Sequence, residues 1–125
     1  MSDRQPTVAI IGASRDPAKP SHESVLAHAS CGYRVFPINP SVDRIAGHEA
    51  YARVEDVPVQ PLDRVSIYVP PTVGIELIDA IAAVGCVEFW LNPGAESDAL
   101  IARAEALGLT TVVACSLIDC RNRER

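Results

Sequence analysis

The feature that most constrains the fold is an apolar stretch that runs into a glycine and then into a helical pattern. Residues 8–11 are Val, Ala, Ile and Ile, which are typical of a fully buried strand, and Gly12 follows directly. A helical pattern begins near Ser21. The free N–H groups of the turn and of the helix N-terminus then point toward one position, where the helix dipole favours an anion. The stretch therefore predicts a phosphate-binding loop.

Length and composition indicate one globular domain. Of the 125 residues, 48% are hydrophobic and 22% are charged, and no apolar run approaches the ~18 residues of a membrane span. The polar N-terminus lacks the apolar segment of a signal peptide, so we expect a cytoplasmic protein without membrane contact. The net charge of -5 argues against a nucleic-acid partner. The four cysteines are scattered without a Cys-x-x-Cys pair, so we expect free thiols rather than zinc ligands or disulfides.

Strand and helix patterns alternate along the chain after the loop. Ser21 is the expected N-cap of the first helix, and helical spacing with terminal glycines predicts helices over residues 21–29, 72–84 and 97–107. Apolar runs predict further strands over residues 33–38, 64–69, 87–91 and 110–114. The pattern between them is weaker, and there we expect a short edge strand over residues 47–52 and one helical turn over 54–57.

This alternation predicts an α/β three-layer fold with a mainly parallel sheet of about five strands. We expect a disordered N-terminal tail over residues 1–6, one domain over 7–118, and a charged, frayed C-terminal tail over 119–125. Ligands of such sheets bind beyond the carboxyl ends of the strands, where the glycine loop lies.

The loop differs from two common nucleotide-binding patterns. A Gly-x-Gly-x-x-Gly fingerprint would need glycines where this chain has Ser14 and Pro17. An NAD site also favours an acidic residue at the end of the second strand, where Asn39 stands, and no Gly-Lys-Ser/Thr sequence is present. What remains is a longer phosphate loop that contains the Ser14 hydroxyl and two cations, Arg15 and Lys19.

Several short motifs together resemble a known family, the small CoA-binding-domain proteins. They are residues 8–14, 19–21, 32–40, 68–70, 90–91 and 106–109, with single matches at Gly47, Tyr51, Asp63, Gly85 and Gly94. That family is similar in fold to the N-terminal domain of the succinyl-CoA synthetase alpha chain. The resemblance covers residues 7–118, and it rests on the order and spacing of motifs that are individually weak.

The resemblance implies a Rossmann-like fold that binds coenzyme A (CoA). The loop and the helix after it would hold the diphosphate, the residues after the second strand would lie near the adenosine, and those at 69–71 would line the adenine or pantetheine path. The chain departs from many relatives at residues 92–96 and 114–117. The candidate cofactor-binding residues are Gly12, Ala13, Ser14, Arg15, Lys19, Ser21, Asn39, Pro40, Arg44, Val69, Pro70, Pro71, Asn92 and Gly94.

No catalytic or metal-binding set can be assembled from the sequence. Ser14 lacks the Gly-x-Ser-x-Gly context of a nucleophile elbow. His22 would be a phosphate donor or an exposed first-turn side chain, and Cys115 would be a thiol that exchanges with CoA or a small core residue.

Three functional hypotheses remain from the sequence. The first is a CoA- or acyl-CoA-binding protein without catalysis of its own. The alternatives are an NAD(P)-dependent oxidoreductase, and a stand-alone subunit that completes an acyl-CoA enzyme. A homodimer or a partner protein stays open in each case.

Overall fold

The computed structural model describes residues 4–123, which form a three-layer α/β fold. The strands are β1 (Thr7–Ile11), β2 (Arg34–Ile38), β3 (Arg44–Ile45), β4 (His48–Glu49), β5 (Leu62–Ile67), β6 (Cys86–Leu91) and β7 (Thr111–Val113). The helices are α1 (Pro20–Ser30), α2 (Pro71–Val84), α3 (Asp98–Ala106) and α4 (Ser116–Arg123). Five strands form one parallel sheet in the order β2-β1-β5-β6-β7. The predicted fold class is therefore confirmed.

The sheet has a separate apolar core on each face. Alternate residues of a strand point to opposite faces, so Ala9 and Ile11 of β1 join the core beneath α2 and α3, whereas Val8 and Ile10 join the core beneath α1. All five residues of β1 are buried as a result. Strand β1 is thus enclosed on both faces, and the loop that follows it starts from a fixed position.

The helix boundaries agree with the predicted pattern except at the start of α1. Lys19 occupies the N-cap position there and Pro20 is the first helical residue, so the prediction of Ser21 as the N-cap is wrong. Proline is suited to this position because the first N–H groups of a helix have no partner within the helix. At α3, the Ser97 hydroxyl accepts from the N–H of Leu100 at 3.1 Å, as a capping serine should.

The weakly patterned middle of the chain lies mostly outside the large sheet. Strands β3 and β4 form a small antiparallel hairpin, so only part of the expected edge strand over 47–52 is a strand. Tyr51 forms an isolated bridge to Ile38 of β2. A short 3-10 helix, Val54–Asp56, confirms the expected single turn and lies against α2.

The expected frayed C-terminal tail is instead a helix through Arg123, the last residue described. In α4, Cys120 is fully buried and the Asp119 carboxylate binds the buried Arg64 guanidinium at 2.9 Å. Arg121 pairs with Glu23 of α1, also at 2.9 Å. The charges of the tail predicted solvation, but Asp119 is paired with a residue of the sheet and Arg121 with one of α1, so α4 is held against the domain.

Candidate functional site

The loop after β1 passes very close to the end of β5. Gly12 has a φ of +83°, and a Cβ at this position would lie 2.8 Å from Cγ1 of Val69. Its N–H donates to the carbonyl of Ile38 in β2 at 3.2 Å. Only glycine combines this backbone conformation with so close an approach. Gly12 therefore lies where the carboxyl ends of three neighbouring strands meet.

The loop between Gly12 and α1 is held by its own side chains. The Ser14 hydroxyl accepts from the N–H of Asp16 at 3.0 Å, and the Asp16 carboxylate accepts from the N–H of Ala18 at 3.0 Å. Nδ1 of His22 lies 2.8 Å from the carbonyl oxygen of Ser14. Because a carbonyl only accepts, Nδ1 carries the proton in this contact. Ser14 and His22 thus shape the loop before any ligand arrives.

Asn39 joins the ends of β1 and β2. Its Nδ2 donates to the carbonyl of Ala13 at 2.9 Å, and its Oδ1 accepts from the N–H of Ser41 at 2.7 Å. Asn39 is a predicted ligand contact, and the structure shows in addition that it fixes the position of the glycine loop.

An apolar cavity of about 550 Å³ lies on one side of Gly12. Its walls come from the ends of β1, β2 and β5 and from one face of α2. It contains four of the predicted site residues besides Gly12, namely Ala13, Asn39, Pro40 and Val69. Its other members include Ile11, Ile38, Val54, Val73 and Leu77, with Arg53, Glu55 and Glu76 as the charged ones.

A second cavity, of about 450 Å³, lies on the other side of Gly12. It is bordered by the start of α1 and the end of β6, and its lining residues include Ser14, Lys19, Ser21, Tyr68, Asn92 and Cys115. A third, more open cavity of about 530 Å³ adjoins the apolar one and includes Arg15, Ser41 and Asp43. The two cations of the predicted loop thus border different cavities.

A buried polar network supports the second cavity. Nδ2 of Asn92 donates to Oγ of Ser66 and to the carbonyl of Ile67, both at 2.8 Å, and its Oδ1 accepts from the backbone N–H of Ser116 at 2.9 Å. The Tyr68 hydroxyl lies 3.2 Å from Oγ of Ser116, and burial raises the pKa of Tyr68. Among residues 4–123, every buried polar side-chain atom has a hydrogen-bond partner. The polar network beneath the second cavity is therefore held in place by hydrogen bonds within the protein.

Four predicted residues have other positions in the fold. Arg44 donates to the carbonyl of Gly47 at 2.7 Å within the β3–β4 hairpin. The N–H of Gly94 donates to the Glu96 carboxylate at 3.0 Å in an exposed turn. Pro70 and Pro71 form the start of α2. None of the four is among the residues that line the three cavities.

The contribution of α2 and of the 3-10 helix to this site is not apparent from the sequence. Val73, Glu76 and Leu77 follow one another at helical spacing and border the apolar cavity, as does Arg53. The spacing of Val73 and Leu77 predicted an apolar helix face, but it could not show that this face also borders a cavity. Residues of this kind become visible only when the helix is placed against the sheet.

Residues 4–123 contain neither a candidate metal cluster nor a candidate membrane span. No group of three His, Cys, Asp or Glu side chains is arranged to hold a metal ion. No helix in this part of the chain is long and apolar enough to cross a membrane.

Comparison with known proteins places this geometry in a family. A family model described as the CoA binding domain matches residues 6–121. The uncharacterized protein YneT of Bacillus subtilis is 25% identical over 114 residues, which are 88% of this chain and 81% of that protein.

Solved structures show the same architecture. A conserved hypothetical protein from Pyrococcus furiosus has a TM-score of 0.82 and 30% identity over 91% of this chain and 98% of its own. A hypothetical protein from Pyrococcus horikoshii has a TM-score of 0.87 at 23% identity, over 96% of this chain and 84% of its own, which shows the shared fold. Acetyl-coenzyme A synthetase 1 from Ca. Korarchaeum cryptofilum has a TM-score of 0.73 and 27% identity over 86% of this chain, but the match spans only 25% of that longer chain.

Proposed function

The chain belongs to the CoA binding domain family, and we propose that it binds coenzyme A or an acyl-CoA without catalysing a reaction of its own. The observation that carries this proposal is the position of Gly12 between an apolar cavity and a second cavity whose lining includes Ser14, Lys19 and Asn92. CoA has one part for each cavity: a flat adenine base and a charged diphosphate, which are joined through a ribose. A loop that exposes backbone N–H groups between two such cavities suits this ligand.

The apolar cavity is suited to the adenine base. Val54, Val73 and Leu77 provide aliphatic surfaces for the faces of the ring, and removal of that apolar area from water would contribute about 25 cal/mol per Å². The base would be held close to the end of β2, where the wall of the cavity includes Asn39 and Pro40.

The phosphates would lie along the glycine loop. The diphosphate would accept from the N–H of Ser21 at the start of α1, and the Lys19 ammonium in the second cavity would add a positive charge. Arg15 borders the open cavity next to the base, which suits the additional phosphate of the CoA ribose. The pantetheine arm would continue past Tyr68 and Asn92 toward Cys115.

The oxidoreductase alternative receives less support. An NAD ribose is usually held by a carboxylate at the end of the second strand. Here the residue is Asn39, and both of its polar groups are already bonded to the backbone. The likeness to one quarter of an acetyl-coenzyme A synthetase favours the third hypothesis instead, in which a separate chain supplies the rest of an acyl-CoA enzyme.

Thermal unfolding with CoA, acetyl-CoA, NAD, NADP and ATP in parallel tests the proposal. A ligand that binds only the folded protein at 100 times its Kd adds about 2.7 kcal/mol to the free energy of unfolding. We expect CoA and acetyl-CoA to raise the Tm more than the other ligands do. Stabilisation by NAD or NADP alone would overturn the proposal.

Matched variants then test the site. Arg15→Ala and Lys19→Ala should each weaken CoA binding by about 1–3 kcal/mol if they pair with phosphate. Arg103→Ala removes the same charge from α3, where the arginine pairs with Asp79, and should leave the affinity unchanged. Equal affinities for all three variants would contradict the assignment of the cations.

A further inference from the structure

Two of the four cysteines lie next to each other at the contact between α1 and α4. Cys120 is fully buried in the apolar core beneath α1, together with Val25 and Tyr33, and Cys31 packs against the same cluster from the C-cap of α1. Burial is the main reason that the pKa of Cys120 is raised, and the neighbouring Cys31 raises it further. In contrast, Cys86 lies against the core on the opposite face of the sheet, and Cys115 borders the second cavity.

The elements that carry the two thiols are already held together. Helices α1 and α4 pack against each other, and the ion pair between Glu23 and Arg121 spans the same contact at 2.9 Å. The backbone N–H groups of Cys31 and Tyr33 donate to carbonyls of α1 at 2.9 Å, which fixes the turn that presents the Cys31 side chain. A covalent bond between the two sulfurs would thus join surfaces that are in contact in the reduced protein.

We propose that Cys31 and Cys120 are a redox-active pair that a low-molecular-weight disulfide converts into an intramolecular disulfide linking α1 to α4. Both thiols are free in this structure, so the structure represents the reduced form. This pairing is not apparent in the sequence, because 88 residues separate the two cysteines along the chain and their spacing matches no motif.

The exchange proceeds in two balanced steps. The Cys31 thiolate attacks one sulfur of the disulfide RSSR, so a Cys31–SR bond forms and RS⁻ leaves, taking up the proton that the Cys31 thiol lost. The Cys120 sulfur then attacks the Cys31 sulfur and displaces the second RS⁻, which takes up the proton from Cys120. The two cysteines lose two electrons together, and RSSR gains them to become two RSH molecules.

The order of the two steps follows from how exposed each thiol is. Cys31 is partly exposed and can meet RSSR, whereas Cys120 is fully buried. Burial, together with the neighbouring Cys31, raises the pKa of Cys120. Cys31 is therefore the entry point and Cys120 the resolving thiol, and the second step should be the slower one.

Helix α4 would connect the proposed disulfide to the candidate site. That helix begins at Ser116, which holds Asn92 beneath the second cavity, and Cys115 borders the cavity directly before it. The disulfide would fix the helix at Cys120, one turn further on. We therefore expect the oxidised protein to unfold at a higher temperature than the reduced one, because the cross-link also restricts the unfolded chain.

Incubation of the folded protein with glutathione disulfide, followed by non-reducing mass spectrometry, tests the pairing. Digestion after Arg and Lys, and before Asp, separates Cys115 from Cys120, because Asp119 lies between them in the sequence. The expected product is a cross-linked pair of peptides, residues 16–34 and 119–121, with two hydrogens lost. The thiols of Cys86 and Cys115 should not enter this product.

Three variants make the result decisive. Cys31→Ser should give no intramolecular disulfide, and Cys120→Ser should stop at the mixed disulfide of Cys31 with glutathione. Cys86→Ser is the matched control and should still form the link. A protein that retains all four thiols after exhaustive incubation would refute the proposal, as would oxidation that joins other cysteines or leaves the Tm unchanged.

Discussion

Replacement of Gly12 with alanine should both destabilise the protein and weaken CoA binding, and the structure gives separate reasons for the two effects. The left-handed backbone at φ +83° costs an L-residue about 1–2 kcal/mol. The new Cβ would also lie 2.8 Å from Cγ1 of Val69 and 3.4 Å from its backbone nitrogen. Overpacking of this kind costs about 1–3 kcal/mol more. The expected loss in the free energy of unfolding is therefore about 2–5 kcal/mol.

Gly108 offers a matched control for the backbone term. It has a φ of +80°, and no atom lies within 4 Å of a Cβ built there. Gly108→Ala should therefore cost only the backbone strain, about 1–2 kcal/mol. The difference between the two variants measures the close approach of the loop to β5. Urea unfolding of both variants and the wild type gives these values directly.

The two variants should also differ in ligand binding. Displacement of Gly12 moves a residue shared by both cavities, so the affinity for CoA should fall at least ~10-fold, which is about 1.4 kcal/mol. Gly108 ends α3 and borders neither cavity, so its variant should bind as the wild type does. If both variants lost the same stability and both retained full affinity, the reasoning about the loop would be refuted.

Further predictions concern the polar groups of the fold. Burial lowers the pKa of His28 from 6.5 to about 4, so stability should fall as the pH drops through that interval, and urea unfolding of His28→Gln should show a smaller fall. Arg64→Met leaves the carboxylates of Glu88 and Asp119 without their buried partner and should cost about 3 kcal/mol in the same assay; an unchanged stability would contradict this. Asn39→Ala removes the hydrogen bond to Ala13 of the loop and the one from Ser41, so calorimetry should show weaker CoA binding, with preserved affinity as the contrary result.

The fold was predictable from the sequence because local pattern and tertiary structure agree along most of the chain. The run from Val8 to Ile11 is apolar since both faces of β1 are covered, and the helix stop at Gly85 has the left-handed backbone that its residue type predicts. The same reasoning failed at α4. Three of its eight residues are charged, and the partners of Asp119 and Arg121, which are Arg64 and Glu23, are far away in the sequence.

The candidate site was predictable only around the glycine loop. Gly12 is recognisable because a strand, a turn and a helix start follow one another locally. Val73 of α2 and Arg53 line the apolar cavity only because distant segments of the chain come together. No local sequence pattern shows this. Asn39 was recognised by its position, but its bond to Ala13 required the placement of two strand ends side by side.

Titration calorimetry of the purified protein with CoA is the measurement that tests the central claim most directly. The account predicts saturable binding at a single site, competed by acetyl-CoA and left unaffected by NAD. Heats equal to dilution at every CoA concentration, or displacement of CoA by NAD at similar concentrations, would contradict it.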